Sequence, residues 1–276
     1  MKIVCYKSVY IICFIFSTLS CTKNAISPVK TYDIAVEGTL NTFQNEQYIR
    51  LSKPAILPST NVEPVRKAIV SISDGNNKVF LKETKTPGLY SGVINDNKNY
   101  DQPYTLNIDY NQFTYTAIDT LRRVIAIKVS DLPFSAKKLS SGKIQLKIPR
   151  HMFGALVPSR WLILYTGKKM WDPSILNKKA GYSYSHQFGS PNTLYSSTQQ
   201  ITTAVLNPSD TVVIYKFSLS ASYSKYLYNV FQETDFKNIF SSTPGSIYGN
   251  VSNNGQGFFY STDVDVKQYL ASDFVK

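Results

Sequence analysis

Apolar and polar positions alternate along much of this chain, in short runs separated by Gly, Pro, Asn and Asp. Alternation with a period of two is typical of β-strands that bury one face. Residues 74–77 begin with Asp-Gly, a pair that favours a tight hairpin turn. We therefore predict a β-sandwich over residues 31–118. Its predicted strands are residues 32–38, 48–52, 68–73, 78–82, 104–109 and 113–116.

A second β-rich domain is predicted beyond a boundary near residues 117–122, over residues 119–276. The apolar run at 160–165 is continuous, which indicates a strand buried on both faces. Residues 167–209 are rich in Ser, Thr, Tyr, Asn and Gly, so we predict a long irregular region there. The predicted strands of this domain are residues 123–130, 143–149, 160–165 and 211–218.

One segment, residues 222–233, has the apolar spacing of a short helix. Ser222 precedes it as an N-cap candidate. A stripe of this kind is more often core packing than a recognition surface, and we expect packing here. The residues of the stripe are Tyr223, Tyr226, Leu227, Val230 and Phe231. The chain is thus predicted to be all-β with one short helix.

The N-terminus has the pattern of a lipoprotein signal. Lys2 and Lys7 precede an apolar run at 9–16, and Ser20 is followed by Cys21. The run is shorter than the roughly 20 residues that a spanning helix needs. We predict a signal peptide over residues 1–20, lipidation of Cys21 and a polar tether over 21–30. The alternatives are an ordinary signal peptide with an incidental Cys21 and an uncleaved anchor.

Charge and cysteine content limit the classes of partner and the sources of stability that the sequence predicts. The formal net charge is +12, but the lysines are spread along the chain in pairs at most. A solvated surface is therefore favoured over a polyanion site, and no nucleic-acid partner is predicted. Cys5 and Cys13 lie in the predicted signal peptide. The mature chain would hold only Cys21, so its stability must come from packing rather than disulfides.

Motifs for metal or nucleophilic chemistry are missing from the sequence. His151 and His186 are the two histidines, and there is no H-E-x-x-H, C-x-x-C or G-x-S-x-G. Asp263 and Asp265 share one predicted strand face, where solvation explains them better than a mixed metal site. The glycine-rich residues 249–257 are predicted to form a β-hairpin rather than a phosphate loop. We predict no catalytic residues, no metal and no cofactor.

Aromatic side chains in and beside the predicted irregular region are the best candidates for ligand contact. Tyr and Trp offer a flat apolar face and a polar tip, which suits sugars, peptides or a partner protein. The alternative is that these rings pack the loop onto the sandwich. The candidates are Trp171, Tyr182, Tyr184, His186, Phe188 and Tyr195.

Several segments, in their order, resemble a family of Bacteroidota lipoproteins with a domain of unknown function, number 4249. These are residues 36–40, 64–73, 87–90 and the closing 243–261, which holds Gly-Asn-Val followed by Gly-Gln-Gly-Phe-Phe. The resemblance spans roughly residues 32–262. It implies an immunoglobulin- or transthyretin-like N-terminal sandwich and an outer-membrane lipoprotein encoded beside a TonB-dependent, SusC-like transporter. No catalytic residues are established for the family, so none are carried over.

Two departures from the usual lipoprotein pattern bear on location. Thr18 stands where a leucine is usual, and residues 22–24 supply no acidic side chain after Cys21. The sequence therefore leaves open whether the protein faces the cell surface or the periplasm.

The leading hypothesis is a non-catalytic, lipid-anchored accessory protein of a TonB-dependent nutrient-uptake system. A stand-alone surface adhesin or a glycan- or peptide-binding module is the alternative, and a hydrolase with a hidden catalytic set is a third.

Overall fold

The computed structural model describes residues 31–55, 62–165, 180–187, 200–235 and 247–275, within one compact unit that begins at Tyr32. This part of the chain is mostly β-structure with one long helix, so the predicted fold class is confirmed. The elements are β1 (Ile34–Asn41), β2 (Glu46–Ser52), β3 (Ile69–Ser73), β4 (Lys78–Glu83), β5 (Leu89–Val93), β6 (Pro103–Tyr110), β7 (Phe113–Thr120), β8 (Ser135–Lys138), β9 (Ile144–Pro149), β10 (His151–Phe153), β11 (Ser159–Leu164), β12 (Ala180–His186), β13 (Ile201–Leu206), β14 (Thr211–Ser218), α1 (Ala221–Thr234), β15 (Gly255–Thr262) and β16 (Val264–Leu270).

The first sandwich is a single eight-stranded sheet in the order β15-β1-β2-β5-β4-β3-β6-β7. Strand β4 pairs with β3 along most of its length and with β5 at Lys82 and Glu83. The sheet therefore folds over at β4 into two layers around one core. Alternate residues of both layers enter that core, as the period-two pattern predicts. Fully buried members include Val36, Ile49, Leu51, Val70, Ile72, Leu106 and Ile108.

The strand β15 returns from the far end of the chain to complete this sandwich. It pairs with β1 in parallel, over the register Ile34–Gly255 to Asn41–Thr262. The sequence predicts that residues 255–262 belong to the second domain, yet they form β15 of the first sandwich. The predicted boundary near residue 118 therefore does not divide the strands between the sheets. The chain returns to the first sandwich as β15 and passes at residue 263 into β16 of the second β-rich part.

The glycine-rich segment before β15 does not form the predicted hairpin. Its main contacts are with β7 and with β15 itself. Asn250 donates from Nδ2 to the Ile118 and Phe259 carbonyls and accepts from Phe259 N–H, while Ser252 N–H donates to Thr116 O at 2.8 Å. Gly257 has φ +100°, and a Cβ there would lie 2.0 Å from Val36 O. Glycine therefore permits the close approach of β15 to β1.

The second β-rich part packs a five-stranded sheet, β10-β12-β11-β14-β16, on a three-stranded sheet, β13-β9-β8. Between them lies a core that includes Ile144, Leu146, Ile148, Trp161, Ile163, Val212 and Ile214. The continuous run in β11 is buried from Trp161 to Leu164, as predicted. Strands β12 and β13 occupy parts of residues 167–209, so the prediction of an entirely irregular region is wrong there.

The predicted strand at residues 123–130 forms no β-ladder. Two of its backbone N–H groups are bonded by carboxylates instead: Val124 donates to Asp263 Oδ2 at 2.9 Å and Ile127 to Asp265 Oδ2 at 2.7 Å. The apolar alternation of this segment therefore reflects an extended connection, with Ile127 buried in the second core.

Helix α1 agrees with the predicted helix to within a residue at each end. Its N-cap is Ser220, whose hydroxyl accepts from Tyr223 N–H at 3.1 Å, rather than Ser222. Ser222 instead donates to Asp119 Oδ1 at 2.9 Å. The apolar stripe packs inward, with Phe231 5% exposed. Within the described ranges, no helix has the length and apolar character to cross a membrane.

Candidate functional site

A groove of about 590 Å³ lies on the outer face of the first sandwich, with helix α1 as one wall. We call it the aromatic groove. Its volume is within the ~300–1,000 Å³ usual for small-molecule sites. The residues that line it are Ala35, Val36, Glu37, Gly38, Thr39, Tyr48, Arg50, Leu89, Tyr223, Tyr226, Gln256, Gly257, Phe258 and Tyr260.

The floor of the aromatic groove follows from strand parity. Residues at even positions of β1 enter the core, so Glu37 and Thr39 face outward. The ladder register then sets Glu37 between Arg50 of β2 and Phe258 of β15. Because neighbouring strands lie about 4.8 Å apart, these three side chains form one row across the floor. Tyr48, Thr39 and Tyr260 form the next row.

The wall of the groove is fixed by ring packing between α1 and β15. Tyr223 stacks on Tyr260 with ring centroids 3.9 Å apart and planes within 7°. Tyr226 lies against Phe258 with a centroid distance of 4.8 Å. These contacts attach the first two turns of the helix to the first sandwich, so the wall is held in place by the same rings that line the groove.

Arg160 supports this wall from the second β-rich part. Its Nη1 donates to the Tyr260 hydroxyl at 3.3 Å, and its guanidinium lies 4.4 Å from the Phe217 ring centroid. Burial acts to raise the pKa of Tyr260, but the charge of Arg160 and hydrogen bonds to the phenol outweigh burial and lower that pKa. Burial and the Tyr260 phenol raise the pKa of Tyr223. Tyr223 therefore stays protonated at neutral pH.

Glu37 and Arg50 are the exposed charges of the groove floor. They lie directly opposite each other on β1 and β2. In the part of the chain that the structure describes, neither takes part in an ion pair or a side-chain hydrogen bond. Burial raises the pKa of Tyr226, and the negative charge of the nearby Glu37 raises it further. The groove thus presents Glu37 as a hydrogen-bond acceptor group and Arg50 as a donor group. Both face solvent and lie between aromatic rings.

The ligand contacts predicted from the sequence are distributed differently. Trp171, Phe188, Tyr195 and the lipid acceptor Cys21 lie outside the described residues. Tyr182, Tyr184 and His186 lie on β12 rather than in a loop. Tyr184 contacts Phe231 of α1 at a centroid distance of 4.6 Å, and His186 is 4% exposed. At these two positions the structure shows intramolecular packing, which is the alternative noted above.

Both histidines meet beneath the C-terminal end of α1, a contact that their spacing in sequence does not predict. His151 Nδ1 lies 2.9 Å from His186 Nε2, and His151 Nε2 lies 3.0 Å from Asp235 Oδ2. Parallel pairing of β10 with β12 brings the rings together. The same Asp235 oxygen accepts from Arg150 Nε. We call these four residues the histidine relay.

Protonation states in the histidine relay follow from its hydrogen bonds. Burial and, to a smaller extent, the charge of His151 lower the pKa of His186 to about 4. Burial also lowers the pKa of His151, against the opposing effect of Asp235. Both rings are thus neutral at neutral pH. Since Asp235 is ionised, His151 donates to it through Nε2 and accepts at Nδ1 from His186 Nε2–H.

The relay holds the end of the helix, and its two imidazoles are closed to solvent. His151 is 1% exposed, and the Phe231 ring of α1 lies 4.6 Å from the His151 ring centroid. A substrate could meet these imidazoles only if α1 moved away. Among the described residues, no cluster of three or more His, Cys, Asp or Glu side chains is arranged to hold a metal ion.

The expectation that Asp263 is a solvated surface residue is wrong. Asp263 is 6% exposed and joins three segments. It accepts from Thr42 Oγ1 at 2.6 Å, from the Tyr100 hydroxyl at 3.2 Å and from Val124 N–H at 2.9 Å. It lies between β15 and β16, where the chain passes from the first sandwich to the second β-rich part, and its role there is structural.

Comparisons with known proteins add little to this geometry. No family model matches the chain, and no curated protein matches it. A crystal structure of chicken CNTN1 FN1-FN3 domains is similar to it at 13% identity, covering 68% of this chain and 62% of that one, with a TM-score of 0.26. Pullulanase from Anoxybacillus sp. LM18-11 has 9% identity, coverages of 68% and 24%, and a TM-score of 0.18. Neither supports an argument about ligand or activity.

Proposed function

We propose that this protein is a non-catalytic binding protein, anchored by lipid at the outer membrane, whose aromatic groove receives a small ligand for a TonB-dependent uptake system. The observation that carries the proposal is the pair Glu37 and Arg50. Both are exposed, face each other across two strands and lie between aromatic rings without an ion pair among the described residues. Convergent polar groups on an apolar floor are the usual composition of a ligand site.

Binding rather than catalysis is supported by where the titratable groups lie. The histidine relay, which has the composition of a general-base pair, is buried under α1 and directed at the helix end. The groove itself presents groups suited to hydrogen bonding and stacking. The lipid anchor, the membrane and the transporter partner come from the sequence pattern and the family resemblance, and they are parts of the proposal.

A thermal-shift screen tests the groove. We expect the lipoprotein, purified in mild detergent, to gain stability from one class in a panel of neutral oligosaccharides, short peptides, amino acids and nucleosides. A ligand at about 100 times its Kd adds roughly 2.7 kcal/mol, which raises the melting temperature by about 5–10 °C in a chain of this size. The double variant Tyr48→Ala, Arg50→Gln should lose that shift. A panel that gives no shift, or shifts that the double variant keeps, contradicts the proposal.

The anchor has its own prediction. Cys21→Ala should yield an unprocessed precursor that takes up no palmitate, because lipid transfer and cleavage both need the cysteine thiol at this position. Metabolic palmitate labelling and gel mobility measure both effects, with Cys13→Ala as the matched control, which should be processed and labelled normally. Normal labelling of Cys21→Ala contradicts the lipoprotein assignment.

The partner distinguishes this proposal from a stand-alone adhesin. A tagged lipoprotein extracted under mild detergent should retain a TonB-dependent transporter. Recovery of the lipoprotein alone favours the adhesin.

A further inference from the structure

The charges in the aromatic groove disfavour ligands that carry a net charge. Glu37 and Arg50 are directly opposite in the β1–β2 register, so the floor carries one negative and one positive group side by side. An anion that pairs with Arg50 would lie against the Glu37 carboxylate, and a cation at Glu37 would lie against the guanidinium. The other arginine nearby, Arg160, is engaged with Tyr260 and Phe217. The site therefore favours a ligand with no net charge.

The hydrogen-bonding groups suit a ligand rich in hydroxyls. A carboxylate can only accept hydrogen bonds. A guanidinium can only donate them, and its N–H groups are arranged in a planar fork. A hydroxyl can do both, so adjacent hydroxyls of one ring can donate to Glu37 and accept from Arg50 at the same time. The two charged groups would then be satisfied by a neutral partner, with bonds of the stronger, charge-assisted kind.

The rings on either side of this pair supply flat apolar surfaces. On the helix side Tyr226 packs against Phe258, which is only 8% exposed, while Tyr48, 41% exposed, lies on the far side. A pyranose ring has one face of C–H groups and a rim of hydroxyls, which match an aromatic face and a polar centre respectively. With stacking surfaces on both sides of the polar pair, the groove can hold more than one such ring.

The strand arrangement argues against an extended peptide. Peptides commonly bind sheets by adding a strand at a free edge. Strand β1, the centre of the groove floor, is already paired with β15 on one side and β2 on the other. Its backbone N–H and C=O groups are therefore taken. Strand β15 is the edge of this sheet, but the N–H groups of Phe259 and Ser261 donate to Asn250 Oδ1 and Asp119 Oδ2, so this edge too is unsuited to adding a peptide strand.

We infer that the aromatic groove binds a neutral saccharide chain, with Glu37 and Arg50 bonded to the hydroxyls of one ring and Tyr48 and Tyr226 stacked on its neighbours. This inference rests on the proposed function, since it names the ligand class of the same site.

A glycan array of neutral gluco-, xylo-, manno- and galacto-oligosaccharides, followed by isothermal titration calorimetry of the hits, tests the inference. The detergent-purified lipoprotein should bind at least one of these series. Arg50→Gln, Glu37→Gln and Tyr48→Ala should each weaken binding about tenfold or more, as truncation of a central contact does. Glu63→Gln and Tyr248→Ala are matched controls at exposed positions away from the groove, and their affinity should equal that of the wild type.

Melting temperatures of all five variants should match the wild type, because the replaced side chains are exposed. If short peptides or amino acids bind in a way that the three groove variants weaken, and neutral saccharides do not bind, the saccharide assignment is overturned while the proposed function stands. If no ligand binds, or if the groove variants leave binding unchanged, the proposed function fails with it.

Discussion

Asp263→Ala should lower the free energy of unfolding by about 3–5 kcal/mol, because it removes a buried carboxylate that three donors share. Thr42 Oγ1, the Tyr100 hydroxyl and Val124 N–H all donate to Asp263, and they come from three separate segments of the chain. Alanine would leave these donors buried without an acceptor. Urea denaturation followed by circular dichroism measures the change.

Asp265→Ala is the matched control for that experiment. Asp265 lies two residues further along the chain, near the start of β16, is less buried and accepts one backbone N–H, from Ile127. Its loss should cost about 1 kcal/mol. Asp263→Asn should fall between the two, since the amide keeps one acceptor oxygen. A cost for Asp263→Ala no greater than that for Asp265→Ala would show that the junction does not depend on this carboxylate.

Lowering the pH from 7 to 5 should reduce the free energy of unfolding by roughly 2 kcal/mol through His186 alone. The pKa of His186 falls from 6.5 to about 4 on burial. Between these values the unfolded chain binds a proton that the folded chain does not. The contribution of His186 to the free energy of unfolding is therefore fully present above about pH 6.5. It is lost as the pH falls toward 4.

The variant His186→Gln isolates this effect. Glutamine keeps an N–H that can donate to His151 Nδ1 but does not titrate. Urea midpoints at pH 7, 6 and 5 should fall steeply for the wild type and much less for the variant. Since Asp235 is at the end of α1, hydrogen exchange in the last turn of that helix should quicken over the same range. Equal pH dependence of both proteins would mean that His186 is not buried in neutral form.

Sequence patterning predicts the sandwich and the helix because both depend on local periodicity. Strand β11 and the helix stripe are buried as their apolar spacing indicates. Residues 123–130 were predicted from the same alternation, yet their N–H groups bond to Asp263 and Asp265, which lie far along the chain. A periodic pattern reports which face is buried. It does not report which group accepts the hydrogen bond.

The aromatic groove was harder to predict, because it too depends on contacts between residues far apart in the chain. The aromatic groove joins β1 and β2 near the start of the chain to α1 and β15 near its end, and no linear motif links them. The parallel pairing of β1 with β15 is the decisive contact, because it places Phe258 and Tyr260 beside Glu37 and Thr39. From the abundance of aromatic residues alone, the ligand contacts were predicted in the region of Trp171 and Tyr195 instead. The alternation in the sequence shows which residues of β1 and β2 face outward. It does not show that β15 pairs with β1.

The proposed function depends on ligand binding in the aromatic groove. Hydroxyl-radical footprinting with mass spectrometry tests it most directly, because it reports the exposure of individual rings in the intact lipoprotein with and without a bound neutral oligosaccharide. Tyr48 and Tyr226 should become protected, while Tyr248, 68% exposed and away from the groove, should be oxidised as before. Protection confined to aromatic residues between 171 and 195, with Tyr48 and Tyr226 unchanged, would contradict the proposed function.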